Sequence, residues 1–358
     1  MERRKSNYKK LNEQVSIFKP KIVSINDNVA YKKFKELNTS KSLKIVNGND
    51  CYDEILDHDT DIVVAAITGS TGLLPVVKAV QRGISIALAN KESLVCSGSL
   101  ITSIAKKHNA LILPVDSEHN AIFQVLDIKN KSKVSKLILT ASGGPFLNKS
   151  LMKIKNIKPK FALKHPNWKM GKKISIDSAT MMNKIFEVIE AMKIFNLNSN
   201  KFSVLIHPKS YIHAIVHFNN GIIKFLAHDT SMSVPIANSL YLESDKFNYK
   251  SGDIKFELLN GINFLNPDIN KFPVIKLLKR VKNQSSYFET ILISINDYLV
   301  QKYLKGEINY LSINDNLLKL IKTPYFTRYY RFKPKNIIDI KIMIRKVITY
   351  LNKNKFNE

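Results

Sequence analysis

Between residues 21 and 115 the chain alternates short β-branched apolar runs with helical stretches, and this alternation leaves few folds open to it. Residues 21–25, 61–67, 84–89 and 110–115 are short, rich in Ile, Val, Leu and Ala, and read as buried strands. Helices over 73–81 and 100–107 separate them. Strands joined through helices pair in parallel, because each crossover must travel back over a sheet face. The expectation is a doubly wound parallel sheet. Such a sheet places ligands at the carboxyl ends of its strands.

After residue 136 the pattern changes. Residues 137–140, 204–206, 214–218 and 221–226 read as strands of a second, mixed sheet, with Asn219-Asn-Gly221 as a hairpin turn. Residues 179–195 form the strongest helix of this part. Beyond about residue 260 the chain is mostly helical, with segments near 274–281, 290–303 and 337–351. The expected division is 1–115, 116–255 and 256–358. That makes an α/β chain with a parallel-sheet domain, an α+β domain and a helical carboxyl-terminal domain.

Composition narrows the class. The 358 residues are 44% hydrophobic, enough for real cores, and no run of about eighteen apolar residues suggests a membrane span. The first ten residues are basic and polar, with no apolar stretch behind them, unlike a signal peptide. Two cysteines, Cys51 and Cys96, fit a reducing compartment, so the expected location is the cytoplasm. The net charge of +27 admits a polyanion partner, but the lysines are spread along the whole chain without a zinc-finger or RNP-like motif. Dispersed charge speaks to solubility and to attraction of phosphorylated ligands, so no specific nucleic acid is expected.

Chemistry concentrates in a few segments. Asp116 and Glu118 end a buried strand and stand two residues apart, so an extended backbone would point both the same way. Like charges at that range repel unless a cation joins them, and a hard divalent ion suits oxygen ligands. An acidic turn capping the next helix explains this segment equally well. Asn183 and Glu187 are spaced i,i+4 beside Lys184 and share one helix face, as a ligand site or as a solvated stripe. Ser178 sits just before that helix in this reading, where free N–H groups favour an anion. The glycines of Ala141-Ser-Gly-Gly-Pro-Phe146 allow close backbone approach to a ligand. The single Trp, Trp168, lies in a polar loop between Pro166 and Gly171, as a core residue or a lid.

Six segments together resemble the signature segments of the 1-deoxy-D-xylulose 5-phosphate reductoisomerase family. They are Leu88-Ala-Asn-Lys-Glu-Ser-Leu94, Leu113-Pro-Val-Asp-Ser-Glu-His-Asn-Ala-Ile-Phe-Gln124, Ser142-Gly-Gly-Pro-Phe146, His165-Pro-Asn-Trp168, Ile176-Asp-Ser-Ala-Thr-Met-Met-Asn-Lys184 and Leu205-Ile-His-Pro-Lys-Ser-Tyr-Ile-His213. They occur in family order across about residues 60 to 240.

The resemblance implies NADPH- and metal-dependent isomerisation and reduction of a sugar phosphate, 1-deoxy-D-xylulose 5-phosphate, to 2-C-methyl-D-erythritol 4-phosphate, in the non-mevalonate route to isoprenoids. It implies a homodimer. It assigns Asp116, Glu118 and Glu187 to Mg2+ or Mn2+, with Co2+ as a further option. It assigns Ser117, Glu118, Ser142, His165, Trp168, Ser178, Asn183, Lys184 and Glu187 to substrate. Lys91, Glu118 and His165 would be catalytic. Gly69, Asn90, Lys91, Glu92, Met170 and Gly171 would face the cofactor. His119, His207 and His213 would be supporting residues.

Two departures qualify these expectations. The family opens with a strand and a Gly-x-Thr-Gly-x-x-Gly loop, then a helix and a second strand, whereas residues 1–20 here resemble the family's next segment. A strand–loop–helix–strand is roughly forty residues. The expected fold is therefore an incomplete Rossmann-like domain that binds NADPH weakly. In the carboxyl third, Ile293-Ser-Ile-Asn-Asp297 stands where the family carries Asn-Ala-Ala-Asn-Glu, so Asn296 and Asp297 are expected to substitute in part at the substrate. A family member that keeps the metal and substrate site without turnover is one alternative, which an activity assay separates. A basic nucleic-acid-binding protein is a remote one, which steep salt-dependent affinity for duplex or single strands would mark.

Overall fold

The computed structural model describes residues 7–48, 51–57, 59–126, 133–241 and 256–354. The expected boundary at residue 255 and residues 1–6 lie outside them. The first part carries α1 (Tyr8–Phe18), β1 (Ile22–Ser24), α2 (Asn28–Leu37), β2 (Lys44–Val46) and α3 (Cys51–Leu56). It continues with β3 (Ile62–Ala65), a short 3₁₀ turn at Ser70–Gly72, α4 (Leu73–Gln81), β4 (Ser85–Leu88), α5 (Lys91–Lys107) and β5 (Ile112–Pro114). All ladders here are parallel, as the alternation predicts. Among the described residues they form two sheets, β1–β2 and β3–β4–β5, rather than one.

Caps fix where these helices begin. Asp27 accepts from the Ala30 amide at 2.7 Å, and Asn90 from the Ser93 amide at 2.7 Å. Each satisfies an amide that the first helical turn leaves unpaired.

The second part opens with α6 (Ser117–Val125), then β6 (Val134–Ala141), two single turns, α7 (Leu151–Ile154) and α8 (Pro159–Ala162), and the helices α9 (Lys172–Ala179) and α10 (Met182–Phe195). The strands β7 (Phe202–Ile206), β8 (Ile212–Phe218) and β9 (Ile223–Ala227) join β6 in a mixed sheet of order β7-β6-β8-β9. β7 runs parallel to β6, while β8 is antiparallel to both β6 and β9. The predicted hairpin turn is present: Gly221 takes φ 83° and its amide donates to the Phe218 carbonyl at 3.0 Å. The remainder is α11 (Ser233–Leu240), α12 (Phe256–Leu259), α13 (Tyr287–Leu304), α14 (Tyr310–Leu320), α15 (Pro324–Thr327) and α16 (Ile337–Lys353).

Three sequence expectations change. The segment near 274–281 is a 3₁₀ run, Pro273–Lys279, not an α-helix. The helix expected over 179–195 starts only at Met182; Ala179 ends a separate preceding helix, and between them Met181 takes a left-handed φ of 67°. That conformation costs a non-glycine residue roughly 1–2 kcal/mol. The break is held from α14: the Tyr310 hydroxyl donates to the Ala179 carbonyl at 2.5 Å, and the Asn314 amide to the Thr180 carbonyl at 3.3 Å. Lastly, the strand alternation invoked for Asp116 and Glu118 does not apply. Asp116 is the N-cap of α6, and Glu118 lies in its first turn.

One large core runs from α3 to α16, and α13 packs against α16, α14 and α5 at its centre. Val15, Val23, Ile25, Ala30, Phe34 and Leu43 form a separate small core. No helix among the described residues is long and apolar enough to cross a membrane. Separate cores predict separate cooperative units. Phe34→Ala removes a fully buried ring and should cost the small unit about 3–5 kcal/mol. Hydrogen exchange should then speed up across residues 8–46 while amides of α13 keep their protection. Equal loss in both regions would show one unit.

Candidate active site

A cavity of about 310 Å³ opens at the carboxyl ends of β4, β5 and β6. Its wall includes Ala89 after β4, Asp116 after β5, and Ser142 and Gly143 after β6. The α9–α10 break brings two helices to one wall. Ser178, in the last turn of α9, and Asn183, Lys184 and Glu187, in the first turns of α10, all face the cavity. Ser178 is thus inside a helix and not ahead of one. It offers no free amino-terminal N–H groups to an anion, although it still reaches the cavity. Gly144 takes φ 70° and lies against α9; a Cβ there would stand 3.1 Å from the Ala179 Cα.

Three carboxylates and two ammonium groups meet at the cavity floor. Lys91 Nζ lies 2.6 Å from Asp116, 2.9 Å from the Asn183 side-chain oxygen and 3.1 Å from Glu187. Lys184 Nζ lies 2.6 Å from Glu118 and pairs with Glu187 as well. Ser117 Oγ donates to Glu118 at 2.6 Å, and the Asn183 amide donates to Glu187. Burial drives Asp116 towards its neutral form, yet Lys91 and His119 hold its carboxyl well below the usual carboxylate range. Burial and the neighbouring Glu118 push Glu187 up, against Lys184 and Lys91. Both lysines stay charged in spite of burial, Lys91 through Asp116 and Glu187, Lys184 through Glu118 and Glu187.

Asp116, Glu118 and Glu187 each offer an oxygen within 4.8 Å of the others. An all-oxygen set at that spacing fits a hard divalent cation.

The 165–171 loop closes one side. His165 Nδ1 accepts the Trp168 amide at 2.9 Å and the Asn167 amide at 3.2 Å. Its other nitrogen therefore carries the proton and faces Ser142 Oγ at 2.9 Å. Burial lowers the His165 pKa to about 4, so the ring is neutral near pH 7. Asn167 ties the loop to Ser210 at 2.7 Å. Trp168, Met170 and Gly171 line the cavity, so Trp168 belongs to the site wall and not to the core.

Three residues assigned to the cofactor are not part of this wall. Gly69 precedes the 3₁₀ turn, and its carbonyl accepts from the Asn90 amide at 3.0 Å. Glu92 pairs with Lys173 at 3.0 Å. Lys173 also meets Asp177 at 2.9 Å and Asp297 at 3.0 Å, and the Asn296 amide donates to Asp177 at 2.7 Å. Asn296 and Asp297 therefore brace the base of the 165–171 loop, outside the cavity lining. Among the supporting histidines, His213 lines the cavity and stacks on His228, ring centroids 3.7 Å apart. Burial takes the His213 pKa down to about 4.

Sequence reading missed Glu190, Lys173, Ser210 and Met232. Glu190 sits i+3 from Glu187, a spacing visible in the sequence, but nothing in the sequence shows that both are buried. Burial raises Glu190 to about 7. Burial would lower His119, but Glu190 and Asp116 raise it to about 9.

Fold and cavity define an α/β enzyme type whose site lies where parallel strands end, with an oxygen-ligand cluster beside a closing loop. Three family descriptions match: the 1-deoxy-D-xylulose 5-phosphate reductoisomerase description over residues 3–98, its C-terminal domain over 112–195, and the DXP reductoisomerase C-terminal domain over 228–347. The chain is 47% identical over 337 residues to 1-deoxy-D-xylulose 5-phosphate reductoisomerase of Pelagibacter ubique, covering 94% of this chain and 87% of that one. It is 38% identical to the enzyme of Thermoanaerobacter pseudethanolicus, covering 88% and 83%. Among solved structures it is similar to the Zymomonas mobilis enzyme in complex with NADPH, with a TM-score of 0.85, 33% identity and coverage of 95% and 87%. A DOX-P reductoisomerase in complex with NADPH, fosmidomycin and magnesium gives a TM-score of 0.90 at 34% identity, covering 97% and 89%. This chain belongs to the 1-deoxy-D-xylulose 5-phosphate reductoisomerase family.

The Lys173 brace carries a pH signature. Burial, opposed by Lys173 and aided by Asp177 and Glu92, raises Asp297 from 3.8 to about 6. An acid whose pKa is raised by folding contributes stability in full below its unfolded pKa, and that contribution is lost as pH rises through the folded value. Asparagine does not titrate. The melting temperature of Asp297→Asn relative to the parent should therefore climb between pH 4 and 7 and level off above. A difference independent of pH would show that the Asp297 pKa is not raised.

Proposed function

We propose that this chain converts 1-deoxy-D-xylulose 5-phosphate to 2-C-methyl-D-erythritol 4-phosphate in isoprenoid precursor synthesis, using NADPH and Mg2+ or Mn2+. The observation that carries the reading is the meeting of Asp116, Glu118 and Glu187 with Lys91 and Lys184 at one cavity floor. Asp116, Glu118 and Glu187 would hold the divalent ion. When bound, the ion polarises the substrate carbonyl, and NADPH supplies hydride to the rearranged aldehyde.

The remaining work falls to this chain's own residues. Ser142, Ser178, Asn183 and Lys184 line one stretch of the wall, with hydroxyl, amide and ammonium donors suited to a phosphate end. His165, neutral and locked by two backbone amides, presents its Nε2 proton through Ser142 to that stretch. Ser117 donates to Glu118 and steers that carboxylate. Trp168 and Met170 close the cavity against water, which strengthens every charge interaction inside. Lys91 sits at the amino end of α5, where it pairs with Asp116 and Glu187, and would stand beside the cofactor. Gly69, Asn90 and Glu92, next to the β3 and β4 ends, would meet NADPH with Met170 and Gly171. The unpaired buried thiols of Cys51 and Cys96 agree with a cytoplasmic location.

A homodimer fits the same reading. β9 is an edge strand, and Ile222, Ile223 and Phe225 are at least half exposed on or beside it. An exposed apolar edge of this kind calls for a partner, here a second copy. Sedimentation should give twice the chain mass for the parent and a monomer for Phe225→Lys. A monomeric parent would remove the dimer from the reading.

Asp116→Asn should weaken Mn2+ binding at least tenfold, a loss of about 1.4 kcal/mol or more, with reductoisomerase turnover falling in parallel. Calorimetric titration with Mn2+ and NADPH oxidation in the presence of substrate measure the two. Unchanged Mn2+ affinity would sink the ligand assignment. A parent chain that binds Mn2+ but does not oxidise NADPH would leave a site without turnover.

A further inference from the structure

Behind the cavity floor lies a second, buried cluster to which the proposed reaction gives no task. His119 follows Asp116 by one turn of α6, and Glu190 follows Glu187 by one turn of α10. His119 has no exposure to solvent and Glu190 almost none. His119 Nε2 stands 2.8 Å from the Glu187 carbonyl oxygen. A carbonyl only accepts, so this nitrogen bears the proton. The opposite ring nitrogen stands 3.0 Å from Asp116 Oδ1, and a Glu190 oxygen lies 3.8 Å from Nε2. One imidazole thus spans the carboxylate of one cavity acid and the backbone of another.

The division of Asp116 between its partners gives this contact its meaning. Oδ2 faces Lys91, whose ammonium also serves Asn183 and Glu187 and stands in the cavity. Any ligand that enters competes for that ammonium. Oδ1 faces His119 and the Glu118 amide, at 3.0 and 3.3 Å, on the side away from the cavity. Its hold does not depend on what fills the cavity. Outer partners of this type fix the direction in which a ligating carboxylate presents its lone pairs.

We propose that His119, braced by Glu190, is a positioning pair that orients Asp116 and sets its spacing from Glu187 for a divalent cation. This rests on the reading of the three acids as cation ligands. A competing account is a second ion, because Asp116, His119 and Glu190 also offer atoms within 4.8 Å of one another. Both ring contacts argue against it: Nε2 carries a proton for the Glu187 carbonyl, and a lone pair on Nδ1 would face the Asp116 carboxylate oxygen at 3.0 Å, so Nδ1 carries a proton as well and neither nitrogen is free to ligate.

Mn2+ titration of the full chain, by calorimetry and by the electron paramagnetic resonance of free Mn2+, tests the pair. In His119→Asn the side-chain amide falls near the ring nitrogen that faces Asp116; in His119→Gln it reaches towards the Glu187 carbonyl instead. His119→Gln should weaken Mn2+ binding on the order of 10–100-fold, and His119→Asn should recover much of the loss. Glu190→Gln, nearly the same shape, should weaken it less than His119→Gln does. Affinity for inorganic phosphate and the melting temperature should change little in Glu190→Gln. His119→Gln and Glu190→Gln binding Mn2+ as the parent does would overturn the proposal. So would equal damage in both His119 variants with phosphate affinity lost as well, which marks a packing defect. Two Mn2+ per chain, one of them lost in Glu190→Gln, would replace the positioning pair with a second ion site. A parent chain that takes up no Mn2+ would overturn the cation reading itself, and this inference with it.

Discussion

Everything in the cavity depends on two buried ammonium groups set among three carboxylates. Lys91 and Lys184 are almost fully buried, as is Glu187, and an unpaired charge at that depth would cost several kcal/mol. Each lysine reaches Glu187 and one further acid, so Glu187 is shared between them. The acids outnumber the cations by one, which leaves the floor with excess negative charge. That excess favours a further cation, and together with its burial the neighbouring Glu118 pushes Glu187 towards its neutral form.

The backbone serves this arrangement at one expensive point. A continuous helix over residues 172–195 could not bring Ser178 and the first turns of α10 to the same wall from two directions. The left-handed Met181 makes the turn, and α14 captures the two carbonyls that the break releases. The carboxyl-terminal helices are therefore part of the site's support although they contribute little to its lining. The Lys173 cluster is a second support of the same kind. It joins the base of the 165–171 loop to α5 directly after Lys91 and to α13, so that loop, ammonium and helical layer are held as one piece.

Much of this was legible in the sequence because its signals are local. Short apolar runs, a Gly-Gly turn and an Asn-Gly hairpin each depend on a few consecutive residues, and the strands lie close to where those runs place them. Asp116, Glu118, Ser142, His165, Trp168, Ser178 and Lys184, all within the motif segments, line one cavity, and Glu187 one turn beyond the last of them joins it. What failed was geometry set by distant packing. The break at Met181 has no glycine or proline to announce it, because its cause is Tyr310, more than a hundred residues away. Asn296 and Asp297 looked like substrate residues by position, yet a lysine from α9 claims Asp297. Asp116 and Glu118 do line one cavity with Glu187, but a helix start and not an extended strand aims them.

The charge excess also bears on the order of events at the floor. Lys91 holds Asp116 and Glu187, two of the three oxygens that a divalent ion would need. An ion entering between the acids must displace that ammonium or share the carboxylates with it. At an effective dielectric near 20, two unit charges 4 Å apart interact by roughly 4 kcal/mol, so close sharing is disfavoured. Lys91 would then swing off the acids, still charged, and its nearest open direction is the cavity. There an ammonium suits an anionic substrate oxygen or a cofactor phosphate. On that reading the lysine would give up its place at Asp116 to the cation, and the carboxylate would have to keep its direction while its cavity-side partner changed. A partner fixed behind it, out of reach of either ligand, is what such an exchange requires.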